Sequence, residues 1–477
     1  MRIITLDTQL RTICSARSNG FCARRIVIDS IARWLVRLEI VSLALVYVYF
    51  VVTDHVPLIA FALIALIWLA RRRVTGRFTR RTPFDLPILL LLVWLPVSFS
   101  VTVDAALSLP KVYGVILCVA FFYAIVNAIR TRRDLAWATL WLVIVCAAIA
   151  LAGLIGTDWA QGKIVSASFI YDHLPRFVQN IPRSIAGGFA RNGVGGTLAF
   201  TIPLLAALAV GRTTDDGRPP TVDRDWRSAV SGQRSAVVLV ALTLSLITLA
   251  LTQSRGGILG TAAGLLVVAV WRERKFAWVI GAGALALTAL LALGSGNALL
   301  DFVLRMDARG ATLASRLEVW QRGLMMVRDF PYTGIGIGTY NPIAHLLYPF
   351  FIAAPDEVVP HAHNQLLQVA VDLGIPGLIA YIGLLVAFGV CAMRAYADLS
   401  PSPSPDRRGE QERALTIGLV AGMFAHHVFG LTDAFILGTK PGIVMWVFFA
   451  FGAAIDQRPM TDDGRFGHSS SVVRLDL

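Results

Sequence analysis

Residues 55–101 read HVPLIAFALIALIWLA, RRRVTGRFTRRTP and FDLPILLLLVWLPVSFSV: an apolar run, a basic connector and a second apolar run. A run of this kind suits a helix crossing the hydrocarbon core, which takes roughly 17–25 residues. The connector carries Arg71, Arg72, Arg73, Arg77, Arg80 and Arg81, the basic signature of a cytoplasmic loop. The same alternation continues along the chain. Apolar runs fall near 38–53, 55–70, 84–101, 111–129, 135–156, 192–211, 235–252, 256–271, 276–294, 364–393, 414–432 and 440–455. The reading is an all-α, polytopic integral membrane protein of about 12 transmembrane helices. The first two runs are short for a bilayer and suit a tight hairpin. Composition agrees, with 56% hydrophobic and 15% charged residues and a mean hydropathy of +0.67, less charge than a soluble chain carries.

The other basic connectors are 130–134, 212–234, 272–275 and 394–413, and each follows an even-numbered run. Both termini are therefore expected in the cytoplasm. The organisation that follows is a basic cytoplasmic segment at 1–37, helices 1–9 over 38–294 with an external loop at 157–191, a large external loop at 295–363, helices 10–12 over 364–455, and a cytoplasmic tail at 456–477. Residues 1–37 suit either an interfacial amphipathic helix or a disordered tail. No secretory signal peptide is expected there, because the first apolar run begins only near Leu38.

A net charge of +13 invites a nucleic-acid reading, but the arginines sit in short connectors between apolar runs, which excludes that partner and leaves membrane lipids. The five cysteines are Cys14, Cys22, Cys118, Cys146 and Cys391. None pairs in an external loop, so no structural disulfide or thiolate metal site is expected.

The residues that suggest chemistry gather on connections read as external. His363 stands in Pro360-His361-Ala362-His363-Asn364-Gln365-Leu366-Leu367, at the start of a long apolar run. An imidazole there accepts a proton near neutral pH. Arg255, in Thr252-Gln253-Ser254-Arg255-Gly256-Gly257, follows an odd-numbered run, where the positive-inside bias gives no reason for it. Arg191 opens another run on the same side; Arg176 and Arg183 are weaker alternatives. In the large loop, residues 314–328 have helical spacing, with Arg316, Trp320 and Gly323 on one face. Ser315 or Thr312 is placed to cap that helix, with Glu318 completing a capping box. Guanidinium groups match phosphate oxygens in pairs and stay charged at working pH. No external Asp-x-Asp pair offers a divalent metal, and His361 with His363 lacks an obvious third ligand, so no cofactor and no metal are expected. Gly334, Gly336 and Gly338 read as a tight turn with close backbone approach, not as a dinucleotide loop. His426 and His427 read as interhelical packing, and Asp433 as a group that orients a histidine or pairs with an arginine.

In order and spacing, Ser254-Arg255-Gly256-Gly257, Arg316-x-x-x-Trp320, Pro331-x-x-Gly334-x-Gly336-x-Gly338 and His363-Asn364-x-x-Leu367 running to Gly374-x-x-Gly377 resemble the O-antigen ligase and polymerase superfamily over roughly 190–435. The resemblance implies a GT-C-like glycosyltransferase of the Gram-negative inner membrane with a periplasmic active site. It implies transfer of a glycan from undecaprenyl pyrophosphate to lipid A–core oligosaccharide, metal-independent and inverting. It also implies His363 as the catalytic residue, Arg191, Arg255 and Arg316 as pyrophosphate-binding, and His361, Asn364, Trp320 and Asp433 as supporting residues. An O-antigen polymerase with the same donor is the nearest alternative; Arg176 and Gly187 carry its R-x10-G spacing. A lipid or solute transporter is the alternative from a different class, disfavoured because the charges gather at one face.

Overall fold

Backbone N–H and C=O groups in lipid must be satisfied within their own segment, so apolar runs of this length become helices. The computed structural model describes residues 19–53, 56–157, 159, 188–211, 225–292, 312–352, 358–398 and 407–457. Its helices are α1 (Asn19–Thr53), α2 (Leu58–Thr75), α3 (Asp85–Ser100), α4 (Ala105–Ala128), α5 (Arg132–Gly156), α6 (Arg191–Val210), α7 (Asp225–Thr252), α8 (Arg255–Arg272), α9 (Ala277–Ala292), α10 (Thr312–Asp329), α11 (Tyr340–Leu347), α12 (Gln365–Asp398), α13 (Arg407–Phe429) and α14 (Ile443–Asp456). Every apolar run coincides with one of them, and no strand occurs among the described residues beyond the isolated bridge between Thr157 and Phe189. Among the described residues, six helices are by themselves long and apolar enough to cross a bilayer: α4, α5, α6, α8, α12 and Val27–Val51 of α1. Leu86, Leu89 and Val93 of α3 and Trp141 of α5 are exposed outward, while Phe122, Trp446, Phe448 and Phe449 fill the interior. The protein is an all-α, polytopic membrane protein.

Three boundaries differ from the sequence reading. α1 starts at Asn19 and runs unbroken through 38–53, so part of the basic segment belongs to the first long helix. α2 continues to Thr75; Arg71 is therefore a buried helical residue paired with the buried Glu39, while Arg73 Nε meets Asp29 Oδ1 at 2.7 Å. α10 begins at Thr312, which places Ser315 inside the helix. Glu318 is no capping-box partner: its carboxylate accepts the N–H groups of Phe351 and Ile352 at 2.6 and 2.9 Å, anchoring the chain beyond α11. Arg176, Arg183 and Gly187 lie outside the described residues.

Glycines set the spacing of α6, α8 and α13. A Cβ at Gly195 would lie 2.5 Å from Ser254 Cβ, and one at Gly257 would lie 2.8 Å from the Gly195 backbone. Gly260 and Gly264, one and two turns further along α8, meet the Ala425 and Ala421 carbonyls of α13. This small-residue stripe lets backbones approach where side chains would hold them apart. At the far end of the trio Gly211 meets Ala414 and Trp271. α6 and α8 therefore run parallel, starting at one end of the bundle, and α13 runs back between them.

The segment Pro331–Gly338 plugs into a kink in α12. Ile335 N–H donates to the Val371 carbonyl at 2.9 Å and Ile375 N–H to the Pro331 carbonyl at 2.7 Å. Gly334, Gly336 and Gly338 all have positive φ, as the close-approach reading requires. Gly374 has φ 68 within α12, and a Cβ there would collide with the Tyr332 carbonyl. His426 is buried in a stack, 4.0 Å between ring centroids from Phe200, and the His427 ring hydrogen-bonds Tyr381 at 3.1 Å; both serve interhelical packing. Replacing Gly374 with Ala combines a disfavoured backbone with a steric collision, and a loss of at least about 2 kcal/mol is expected. Thermal unfolding of the detergent-purified variant checks this; a wild-type melting temperature would contradict it.

Candidate active site

The start of α12 is tied to the loop that follows α13. Asn364 caps α12 by accepting the Leu367 N–H at 3.0 Å. Gln365 N–H donates to the Gly430 carbonyl at 2.7 Å, and its amide exchanges two hydrogen bonds with the backbone of Phe435, at 3.0 and 2.8 Å. This clasp brings Asp433, carried between Gly430 and Phe435, against the two histidines that precede α12. His361 Nε2 and His363 Nδ1 each lie 3.4 Å from the same Asp433 Oδ1, which also accepts the Ala434 N–H at 2.9 Å.

α10 closes the site from the other side. Trp320 Nε1–H donates to the His363 carbonyl at 3.2 Å, and Gly323 sits under Leu367, so the face shared by Arg316, Trp320 and Gly323 is turned to the start of α12. Arg316 is close enough for its charge to disfavour protonation of His361. α8 arrives beside Asp433, since a Cβ at Gly256 would lie 2.9 Å from Thr432 Oγ1. Ser254 caps α8 by accepting the Gly257 N–H at 3.3 Å, which makes Arg255 its first residue. Arg191 is the first residue of α6, whose first turn rests on Ser254 through Gly195. The segments that carry Arg191, Arg255, Arg316, His361, His363, Asn364, Trp320 and Asp433 thus meet at one end of the bundle. Three helix N-termini, those of α6, α8 and α12, converge there, each with a partial positive charge where the first-turn N–H groups have no intrahelical acceptor.

Among the described non-glycine residues, only Gln253 and His363 have positive φ, 47 and 49. Both border this site, where backbone strain is commonly held by surrounding contacts. Electrostatics separates the titrating groups. Burial lowers the His361 pKa to about 4; Asp433 opposes that shift, while His363 and Arg316 add to it. Burial pushes the Asp433 carboxyl up, but the His363 hydrogen bond and the two imidazoles outweigh it, leaving a net lowering. Asp433 is therefore an anion beneath two rings. The His363 Nδ1 contact to Asp433 is long at 3.4 Å, as catalytic hydrogen bonds commonly are before substrate binds.

Asp433, read from the sequence as a group that orients a histidine or pairs with an arginine, supplies the third group beside His361 and His363, and the three ligand atoms lie within 4.8 Å of one another. Two imidazoles and a carboxylate are a familiar set for a transition metal. The hydrogen bond from His363 N–H to His361 Nδ1, 3.3 Å, opposes that use. It occupies the Nδ1 lone pair, so the neutral ring carries its proton on Nε2 and donates it toward Asp433. A protonated nitrogen is not a ligand. The set fits a hydrogen-bonded acid–base cluster better than a metal centre. Gln365 escaped the sequence reading because an amide in an apolar run has no titration signal; only its position beside Asn364 pointed to it.

Residues 240–382 match the O-antigen ligase family. The match runs from within α7 to the middle of α12 and includes Arg255, Arg316, Trp320, His361 and His363, with Arg191 and Asp433 beyond its ends. Among curated proteins, the exopolysaccharide production protein ExoQ of Rhizobium meliloti (strain 1021) is 22% identical over 294 residues, 57% of this chain. The chain spans 62% of the length of that relative.

His361 sets an acid limb of stability. The unfolded ring binds a proton below about 6.5, whereas the folded ring, facing Asp433, His363 and Arg316, stays neutral down to about 4. Between these values the unfolded state holds more protons, so stability falls as pH drops through that window. His361→Gln should flatten the decline of melting temperature between pH 6.5 and 4. A limb as steep as that of the wild type would refute the buried neutral ring.

Proposed function

We propose, on the match of residues 240–382 to the O-antigen ligase family, that this membrane protein is a glycosyltransferase moving a glycan from undecaprenyl pyrophosphate to a lipid A–core oligosaccharide at the periplasmic face of the inner membrane. The observation that carries the reading is the single cluster formed by His363, its Asp433 partner and the arginine-bearing helix starts. A base next to concentrated positive potential is what displacement of a diphosphate requires.

With Nδ1 turned to Asp433, His363 has Nε2 left for the acceptor. It takes the proton from a sugar hydroxyl. The hydroxyl oxygen attacks the anomeric carbon of the donor from the face opposite the pyrophosphate. The new carbon–oxygen bond forms as the bond to the leaving phosphate breaks, with inversion, and undecaprenyl pyrophosphate departs with the electron pair. Arg191, Arg255 and Arg316 hold the diphosphate and stabilise the charge that grows on it. Asp433 stabilises the imidazolium as it forms, the role a buried carboxylate has beside other catalytic histidines. Trp320 and Asn364 hold the His363 backbone and the helix start behind it. These groups put fixed cations where a divalent metal would otherwise serve.

The name of the exopolysaccharide relative favours a second reading on the same site, in which the acceptor is another polyprenyl-linked glycan and the product a longer polymer. Purified protein in nanodiscs, given both lipid substrates without ATP or metal, separates the two. Label on lipid A–core supports ligation, longer polyprenyl-linked chains support polymerisation, and the absence of any covalent product removes the transferase reading. His363→Ala should abolish transfer in a folded protein, and Asp433→Asn should lower kcat about a hundredfold or more. Wild-type turnover in His363→Ala would sink the assignment of the base.

A further inference from the structure

Two buried polar side chains on α12 take no part in the chemistry proposed above. Gln368 and Asp372 are one helical turn apart, both buried, in a helix that is largely apolar. A buried amide or carboxylate is retained only with partners, and theirs lead to the site. Gln368 Oε1 accepts the N–H of Ala362, the residue between the two histidines, at 2.6 Å. Asp372 Oδ1 accepts the N–H of Gly338 at 3.0 Å, and the Asp372 backbone carbonyl accepts from Ser98 Oγ at 2.7 Å. The Gln368 and Asp372 side chains face each other, although Gln368 Nε2 closes no full hydrogen bond.

The Ala362 N–H takes Gln368 Oε1, so the NH2 is the end of the amide left to turn toward Asp372. Asp372 in turn is clamped by the glycine turn in the α12 kink. The geometry points to Gln368 as a positioning residue for His363, its amide oriented by Asp372 so that Ala362 N–H is gripped and the His-Ala-His turn holds its left-handed residue. Without that grip the φ of 49 at His363 keeps on its N-terminal side only the long 3.3 Å bond from its own N–H to His361 Nδ1, and on the other side the Trp320 contact to its carbonyl. The ring would then sample poses in which Nε2 misses the acceptor, and such misplacement is expensive in rate. The consequence for turnover rests on His363 being the base; the consequence for the ring itself does not.

The test uses full-length protein in nanodiscs. Gln368→Met keeps side-chain length and removes the acceptor. The expected result is a donor KM within about twofold of wild type and a kcat lower by about ten- to a hundredfold. The pH profile of His363 carbethoxylation by diethyl pyrocarbonate, resolved from His361 by peptide fragmentation, should also be displaced. Asp372→Asn, which frees the amide to turn over, should show a smaller change of the same kind. A folded Gln368→Met with wild-type kcat and carbethoxylation profile overturns the proposal. Should that variant not fold, an unchanged pair of readouts in Asp372→Asn overturns it equally. If His363→Ala keeps its activity, the base assignment fails while the carbethoxylation profile still decides whether Gln368 positions the ring.

Discussion

The contact between α6, α8 and α13 governs the rest of the molecule. Gly195 against Ser254, Gly257 against the Gly195 backbone, and Gly260 and Gly264 against the α13 carbonyls leave no room for a methyl group. In a bilayer the surrounding lipid is as apolar as the helices, so close packing rather than the exclusion of water decides which faces meet. The stripe thereby fixes the register of two parallel helices whose first residues are Arg191 and Arg255. Moving either helix by one turn would carry its arginine about 5.4 Å along the axis, out of reach of a shared headgroup.

Register alone would give a patch of positive charge. The second clasp, between Gln365 and Gly430–Phe435, makes it a site. It delivers Asp433 beneath His361 and His363 and sets the N-terminus of α12 beside those of α6 and α8. Arginines, helix ends and protonatable rings all favour anions, so a lone buried carboxylate among them is ionised and tightly held. The arrangement is electrostatically positive toward solvent and balanced underneath by one anion. Such a surface gathers positive potential at one end of the bundle above a single buried carboxylate.

Helix positions were legible because the bilayer imposes a length and a composition that a single sequence displays directly. Arg255 stood out for the same reason: it broke the charge rule that its neighbours on even connections obey. That Asp433 orients a histidine was legible from its place at the end of an apolar run, but its convergence on both His361 and His363 was not, since some 70 residues of chain separate them and nothing local marks the pairing. α11 was missed because it is one short amphipathic turn pair within a loop. Glu318 was assigned to a capping box on local spacing, and a tertiary partner, the backbone of Phe351 and Ile352, claimed it instead. Gln365, Gln368 and Asp372 were hidden for a common reason. In an apolar run a single polar residue has no periodicity, and its meaning lies entirely in what packs on it.

Two histidines flank Ala362, and the hydrogen bonds distinguish their roles. His361 Nδ1 is occupied by the His363 N–H, so its remaining nitrogen is a donor and is spent on Asp433. It has no lone pair to offer a substrate, and Arg316 and burial resist adding a proton. His363 presents only Nδ1 to the carboxylate. Its Nε2 is the one imidazole nitrogen of the pair that can serve as an acceptor while the other end of the ring is supported. In the proposed transferase, His361 is thus the neutral donor that helps hold the carboxylate in place, and His363 is the ring left to react.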